Sequence, residues 1–124
     1  MAEYRTDSLP DACVIEASGE IDISNVAELT RRVLEALAQG TTAIAIDLSQ
    51  VTHLDSSGLA ALISANQQVT DTPGGKLALV MDHRRLGRIF ELRGLDRVFL
   101  IVESRDAALA ALRDPGQPAV KPPA

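Results

Sequence analysis

Two short stretches of this 124-residue sequence concentrate groups that could do chemistry: Gly19-Glu20-Ile21-Asp22 holds two carboxylates, and Leu54-Asp55-Ser56-Ser57-Gly58 holds a carboxylate followed by two hydroxyls. Asp and Ser are preferred helix N-caps, so the ordinary interpretation of the second stretch is the start of a helix. Capping does not require a Ser-Ser-Gly run after the Asp, and Gly58 is a poor helix former. The missing side chain of Gly58 would leave space for another molecule to approach the serine hydroxyls, so the run also predicts a binding site. A phosphate on Ser56 would be tolerated there, because helix N-termini favour anions.

The residues that catalysis would need are missing around these stretches. Ser56 does not lie in a Gly-x-Ser-x-Gly elbow, and no spacing ties His53 or His83 to it as a base. The acidic residues form no metal-ligand pattern with a histidine or a cysteine. Cys13 is the only cysteine and is interpreted as a small buried hydrophobe. We expect no enzymatic activity, no metal and no cofactor.

Composition argues against a nucleic-acid partner and against a membrane protein. The formal net charge is −5 and aromatic residues make up 2% of the chain, whereas nucleic-acid binders concentrate basic and aromatic residues. The one basic cluster, Arg84, Arg85 and Arg88, is short, and its ordinary interpretation is a solvated helix face. No signal peptide and no apolar run of membrane-spanning length is found. We expect a cytoplasmic protein.

Hydrophobic periodicity predicts strands that alternate with helices. The predicted strands are Glu3–Ser8, Ala12–Ala17, Ala43–Leu48, Lys76–Met81 and Val98–Val102, with a loop from Ser49 to Asp55. The predicted helices run from Val26 to Gly40, from about Ser57 to Pro73, from Asp82 to Gly94 and from Ala107 to Leu112. The first would be capped by Ser24, or by Asn25 in a capping box with Glu28, and the last by Ser104. This alternation predicts one α/β domain over residues 1–113, with a mixed, mostly parallel sheet and about four helices. Residues 114–124 are Pro-rich and are expected to form a disordered tail.

The predicted topology gathers the two polar stretches. Parallel strands Ala12–Ala17 and Ala43–Leu48 would send their following loops to the same end of the sheet, where α/β proteins usually place their sites. We therefore expect Asp22, Asp55, Ser56 and Ser57 on one surface.

These motifs, in this order, resemble the STAS family, specifically the bacterial anti-sigma-factor antagonists. The Gly19–Asp22 stretch is similar to the family's Gly-Glu-hydrophobic-Asp turn, and Asp55-Ser56-Ser57-Gly58-Leu59 to its Asp-Ser-Ser/Thr-Gly-Leu signature. The stretch Arg88–Leu95 with Val98-Phe99 is similar to its late helix, turn and strand. Ala60 departs from the family's frequent Gly but keeps a small residue. The resemblance covers about residues 3–112.

The resemblance implies a partner-switching protein and not an enzyme. Ser56 would be phosphorylated by an anti-sigma factor with serine kinase activity, with Ser57 the second choice of acceptor. The unphosphorylated protein would bind the anti-sigma factor and release a sigma factor, phosphorylation would end that binding, and a serine phosphatase would reset it. The implied partner-binding residues are Asp22, Asp55, Ser56, Ser57, Gly58 and Leu59. The alternative function is a STAS scaffold or accessory subunit of a stress-signalling or lipid-transport complex, which would need no phosphorylatable serine.

Overall fold

A five-stranded sheet with its strands in chain order is the frame of the molecule in the computed structural model, which describes residues 1–120. The strands are β1 (Ala2–Ser8), β2 (Cys13–Ile21), β3 (Ala43–Leu54), β4 (Lys76–Val80) and β5 (Leu100–Val102). The β1 strand pairs antiparallel with β2, and the remaining pairs are parallel. The predicted mixed, mostly parallel sheet is confirmed.

Four α-helices occur within residues 1–120: α1 (Val26–Ala38), α2 (Ser56–Asp71), α3 (Arg88–Leu92) and α4 (Arg105–Arg113). Asp82 begins a π-helical turn (His83–Gly87) that leads directly into α3, and its carboxylate accepts a hydrogen bond from the N–H of Arg84. A 3-10 turn (Leu95–Arg97) follows, and Ser104 caps α4 through the N–H of Ala107. The predicted number of helices and the caps at Asp82 and Ser104 are confirmed.

Helices cover both faces of the sheet, and aliphatic side chains fill the space between them. One face packs against α1, α2 and the segment around α3, with Ile15, Ile46 and Leu79 fully buried. The other face packs against α4, where Val14, Ala45 and Ala78 lie beneath Ala108 and Leu112. The α4 helix contacts β3, β4 and β5, whereas most residues of β1 are exposed.

The largest difference from the predicted elements is the length of β2 and β3. The loop predicted from Ser49 to Asp55 is wrong, because β3 continues to Leu54 and pairs with β2 as far as Ile21. The sequence did not predict this extension because most of its residues are polar, although Val51 within it is fully buried. The register shifts twice along the extension, and Gly19 lies at one shift with φ +90°. A side chain there would meet the Met1 carbonyl oxygen at 2.2 Å, which explains the glycine.

The segment after α4 has neither helix nor strand over residues 114–120. It nevertheless contacts the domain: the Lys76 ammonium donates to the carbonyl of Asp114 at 2.7 Å, and the Asn66 amide donates to the carbonyl of Val120 at 3.0 Å. The remainder of the predicted tail, residues 121–124, lies outside the described residues. Within residues 1–120, no helix has both the length and the apolar character that crossing a bilayer requires.

Candidate functional site

A hydrogen bond just beyond the last residue pair of the ladder joins the ends of β2 and β3. Ile21 pairs with Leu54 in the register, and the N–H of Asp55 donates to the carbonyl of Ile21 at 3.2 Å. That carbonyl belongs to the peptide group between Ile21 and Asp22, so Asp22 and Asp55 flank the same bond. Both strands therefore deliver a carboxylate to one edge of the sheet.

Asp55 caps helix α2. Its backbone is extended, and its carboxylate accepts a hydrogen bond from the N–H of Gly58 at 3.0 Å. The Leu59 N–H donates to the Asp55 carbonyl at 3.0 Å, which closes the first helical turn. The cap is thus the residue before the two serines, and neither serine hydroxyl is needed to begin the helix.

Ser56 and Ser57 are the first two residues of α2 and differ in exposure. Ser56 is exposed and Ser57 is half-buried. Within residues 1–120 the Ser56 hydroxyl makes no side-chain hydrogen bond, and the Ser56 and Ser57 N–H groups precede the first intrahelical bond. Such free N–H groups at the positive end of a 16-residue helix favour an anionic group.

Gly58 has a different role from the one that its sequence context indicated. We expected the missing side chain to leave space for another molecule, but Gly58 is buried. A Cβ atom there would lie 2.4 Å from Leu54 Cδ1 and 3.2 Å from Ile21 Cγ2. The glycine therefore lets the first turn of α2 lie directly on the ends of β2 and β3, and it acts from beneath the surface that carries the serines.

The Asp22 carboxylate organises the turn between β2 and α1. It accepts hydrogen bonds from the hydroxyl and the N–H of Ser24, the latter at 2.9 Å, and from the Asn25 amide at 3.2 Å. The hydrogen bonds from Ser24 lower the pKa of the Asp22 carboxyl below its ordinary value. Asp22 therefore stays ionised at neutral pH beside the start of α2.

Asn25 has a role that sequence reasoning missed. It occupies the N-cap position of α1, but its side chain does not cap the helix, and Glu28 pairs with Arg31 and Arg32, so the predicted capping box is wrong. Its amide instead donates to the Glu20 carbonyl at 3.0 Å and accepts hydrogen bonds from the Asp22 N–H and the Tyr4 hydroxyl. Asn25 thereby ties β1, the end of β2 and the Asp22 turn together.

Tyr4 anchors this network from β1. Its hydroxyl lies 3.2 Å from Asn25 Oδ1. Burial, followed by the nearby carboxylates of Asp22 and Glu28, raises the pKa of Tyr4 to about 12. Each effect disfavours the phenolate, so the tyrosine keeps its proton and its hydrogen bond.

Ile23 is a second feature that sequence reasoning missed. It lies between Asp22 and Ser24 and is 79% exposed, although it is a large aliphatic residue. The sequence did hold a signal for an exposed isoleucine. Ile23 lies outside the apolar patterns of the neighbouring strand and helix, so no core-facing position accounts for it. The turn therefore offers an apolar side chain next to an ionised carboxylate.

No group of three potential metal-binding side chains is found among the described residues 1–120. His53 is exposed and lies on β3, with its ring nitrogen 3.2 Å from the hydroxyl of Thr52. The site therefore consists of carboxylates, serine hydroxyls, free N–H groups and one exposed isoleucine. Such a set suits protein binding and acceptance of a phosphoryl group.

The fold is that of a STAS domain. Residues 3–108 match the STAS domain family, and the chain belongs to that family. The resemblance inferred from the motifs is confirmed. Within the family, the chain is similar to anti-sigma-factor antagonists: RsfB from Mycobacterium tuberculosis, named an anti-sigma-F factor antagonist, is 32% identical over 100 residues, which cover 81% of this chain and 80% of RsfB.

Solved structures of anti-sigma-factor antagonists have the same fold. The crystal structure of one from Mycobacterium paratuberculosis has a TM-score of 0.82 and 29% identity, over 92% of this chain and 96% of that one. The anti-sigma factor antagonist SpoIIAA, in its unphosphorylated form, has a TM-score of 0.67 and 16% identity, over 87% of this chain and 94% of SpoIIAA. Bacillus SpoIIAA in its phosphorylated form has a TM-score of 0.68 and 19% identity, over 90% of this chain and 100% of that one. The likeness to SpoIIAA concerns the fold alone.

Proposed function

We propose that this protein is an anti-sigma-factor antagonist that a phosphate on Ser56 switches off. The unphosphorylated form binds an anti-sigma factor, which releases a sigma factor for transcription. The names of the relatives support this function, since RsfB and the Mycobacterium paratuberculosis protein are both described as anti-sigma factor antagonists. SpoIIAA, which shares this fold, has been solved in an unphosphorylated and in a phosphorylated form.

The exposed and uncommitted hydroxyl of Ser56 is the observation that carries the proposal. Because Asp55 already caps α2, Ser56 has no structural task that would keep its oxygen occupied. Transfer of the γ-phosphoryl group of ATP to the Ser56 oxygen would release ADP and leave the fold intact. Ser57 is less accessible and is the second choice of acceptor.

The proposed partner-binding surface surrounds this hydroxyl. Asp22, Asp55, Ser56, Ser57 and Leu59 belong to it, as in the expectation from sequence, and we add Ile23. Gly58 supports this surface from below, where it sets the depth of α2 against Leu54. An exposed isoleucine beside carboxylates fits a partner that offers an apolar pocket with a basic rim.

Electrostatics explains how phosphate would end binding. A phosphoserine adds a charge of about −1.5 to −2 at neutral pH. The start of α2 tolerates that charge, whereas a partner shaped for a neutral serine meets added bulk and added repulsion. Like-charge contacts across an interface cost several kcal/mol, and about 2.8 kcal/mol is already a hundredfold in affinity.

The remaining parts of the proposal follow from this switch. The kinase is an anti-sigma factor with serine kinase activity, and a serine phosphatase removes the phosphate. The protein itself is a binding protein and not an enzyme, it works in the cytoplasm, and it needs neither nucleic acid nor a membrane. The net charge of −5 agrees with a protein that does not bind DNA.

The test is phosphorylation by the anti-sigma kinases encoded in the same genome, with ATP, followed by phosphopeptide mapping and affinity measurements. We expect phosphate on Ser56, its loss in Ser56→Ala, and its retention in the matched control Ser57→Ala. A kinase that modifies the protein should bind the wild type and release the phosphorylated form. Phosphate on Ser57 alone would overturn the assignment. Unchanged affinity after phosphorylation would favour the scaffold or accessory-subunit function.

A further inference from the structure

The ten arginines of the chain fall into two groups according to their ion pairs. Five of them, on β1, α1 and α4, contact carboxylates: Arg5, Arg31, Arg32, Arg105 and Arg113. The other five are exposed and have no carboxylate partner among residues 1–120: Arg84, Arg85, Arg88, Arg93 and Arg97. All five unpaired arginines lie in the single segment from the π-helical turn to the 3-10 turn.

The same segment exposes two large aliphatic side chains. Leu92 is 77% exposed and Ile89 is 46% exposed, and they lie three residues apart in α3. Phe90 fixes the orientation of this helix, because it is fully buried and its ring packs against Phe99 with centroids 5.7 Å apart. The exposure of Leu92 and Ile89 is therefore built into the fold.

Arginine and leucine side chains meet in one concavity. A surface cavity of about 400 Å³ is lined by Arg84, Arg88 and Leu92, together with His83 and Glu91. The Glu91 carboxylate lies 3.5 Å from the His83 ring, on the same cavity wall. We name the unpaired arginines together with Ile89 and Leu92 the arginine face.

The charge of the arginine face is opposite to that of the rest of the chain. Residues 83–97 hold five arginines but only two carboxylates, Glu91 and Asp96, whereas the whole chain has a net charge of −5. The remainder of the molecule is thus more acidic than the total. Guanidinium groups without partners can form bidentate hydrogen bonds with incoming carboxylates, with no existing ion pair to break.

We propose that the arginine face is a docking site for an acidic protein segment that carries apolar anchors. Arginines around an apolar centre are typical of the part of an interface that contributes most to affinity. The occupant would place carboxylates on Arg84 and Arg88 and an aliphatic side chain against Leu92. Its chemistry is that of an amphipathic helix or loop rich in Glu and Asp.

Two other classes of partner fit this surface less well. Nucleic acid would leave Leu92 and Ile89 against phosphates or solvent, and the nearby aromatic rings of Phe90 and Phe99 are both buried and cannot stack on bases. A bilayer would receive only two aliphatic side chains from a five-residue helix, while the acidic remainder of the chain would be repelled by anionic lipid.

The test is titration of the isotope-labelled full chain with a synthetic helical peptide, followed by NMR. The peptide has leucines at positions i, i+3, i+4 and i+7 and glutamates on its other faces. We expect shifts confined to residues 83–97 and weaker binding at higher salt. Arg84→Ala/Arg88→Ala and Leu92→Ser should each weaken binding at least about fivefold, whereas the control Arg5→Ala/Arg31→Ala, which removes paired arginines, should not.

Three results would overturn the proposal: shifts centred elsewhere, equal binding by the variants, or tighter binding of duplex DNA or of phosphatidylglycerol vesicles. The NMR spectrum of each free variant shows whether it is folded, and Leu92→Ser changes only an exposed side chain. The proposal does not depend on the switch at Ser56, so Ser56→Asp should bind the peptide as the wild type does.

Discussion

The carboxylate of Asp55 lies 3.0 Å from the backbone nitrogen of Gly58, so the helix cap is a different residue from Ser56, the proposed phosphorylation site. If Ser56 were the cap, phosphorylation would remove a hydrogen bond that begins α2. Since Asp55 performs that task, a phosphate on Ser56 adds charge to the surface while the first turn of the helix stays bonded. The proposed switch would therefore act on binding and not on folding.

The first prediction concerns the different effects of Asp55 and Ser56 on the stability of the fold. Asp55→Ala removes the cap and should lower the free energy of unfolding by about 1 kcal/mol, as losses of N-caps usually do. Ser56→Ala, the matched control one residue later, should change it by less than about 0.5 kcal/mol. Urea denaturation of both variants measures the difference. Equal losses would mean that the serine hydroxyl shares the capping.

The second prediction concerns the mechanism of the switch. Ser56→Asp, or phosphorylated protein, should keep the circular-dichroism spectrum and the melting temperature of the wild type, because a negative group suits the start of α2. Its affinity for the anti-sigma factor should fall at least about tenfold, or roughly 1.4 kcal/mol. Ser56→Asn is the control of similar size without the charge. A loss of helical signal would instead indicate an order-to-disorder switch.

The third prediction concerns Asp22. Its carboxylate holds an exposed turn through Ser24, so Asp22→Ala should lower the melting temperature by only a few degrees while it weakens partner binding severalfold. Ser24→Ala is the matched control, since it loosens the same turn but keeps the carboxylate. If both variants lost affinity equally, the shape of the turn would matter and not the charge of Asp22.

The sequence was sufficient to predict the sheet, the four helices and the meeting of the two polar stretches at one end of the sheet. These features depend on hydrophobic periodicity and on turn residues. It was not sufficient for the extension of β3 to Leu54, since polar residues alternate irregularly there and only pairing with β2 orders them. The burial of Gly58 was equally hidden, because the atoms that forbid a Cβ belong to Ile21 and Leu54, which come near only in the fold. The role of Asn25 depends on Tyr4, a contact across 21 residues.

The fourth prediction is a pH dependence. Tyr4 is the only tyrosine, and tryptophan is absent from the chain, so the ultraviolet absorbance of its phenolate reports one group. Its pKa in the folded protein is raised to about 12, whereas an unfolded chain should titrate near 10. A raised pKa favours the neutral phenol in the fold. The stability that this provides is therefore complete below about pH 10 and is lost as the pH rises towards 12.

Variants test the causes of the Tyr4 shift. Asp22→Asn and Glu28→Gln should each lower the pKa of Tyr4, because both carboxylates oppose a phenolate nearby. Asp71→Asn, at the far end of α2, is the control and should leave the titration unchanged. A Tyr4 that titrates near 10 in the folded protein would contradict its burial and the proximity of the Asp22 and Glu28 carboxylates.

The fifth prediction concerns the segment after α4. Truncation after Arg113 removes two acceptors, the carbonyl of Asp114 on Lys76 and the carbonyl of Val120 on the amide of Asn66, which is 1% exposed. The free energy of unfolding should fall by about 1 kcal/mol, because a buried donor loses one of its two partners. Affinity for the anti-sigma factor should not change.

Truncation after Val120 is the control, because it keeps both contacts and should match the full chain in both measurements. Asn66→Ala should make the shorter truncation cost less, since the two changes remove one shared contact. Additive losses would mean that the segment leaves Asn66 in solution, and a tenfold loss of affinity would place the segment in the partner interface.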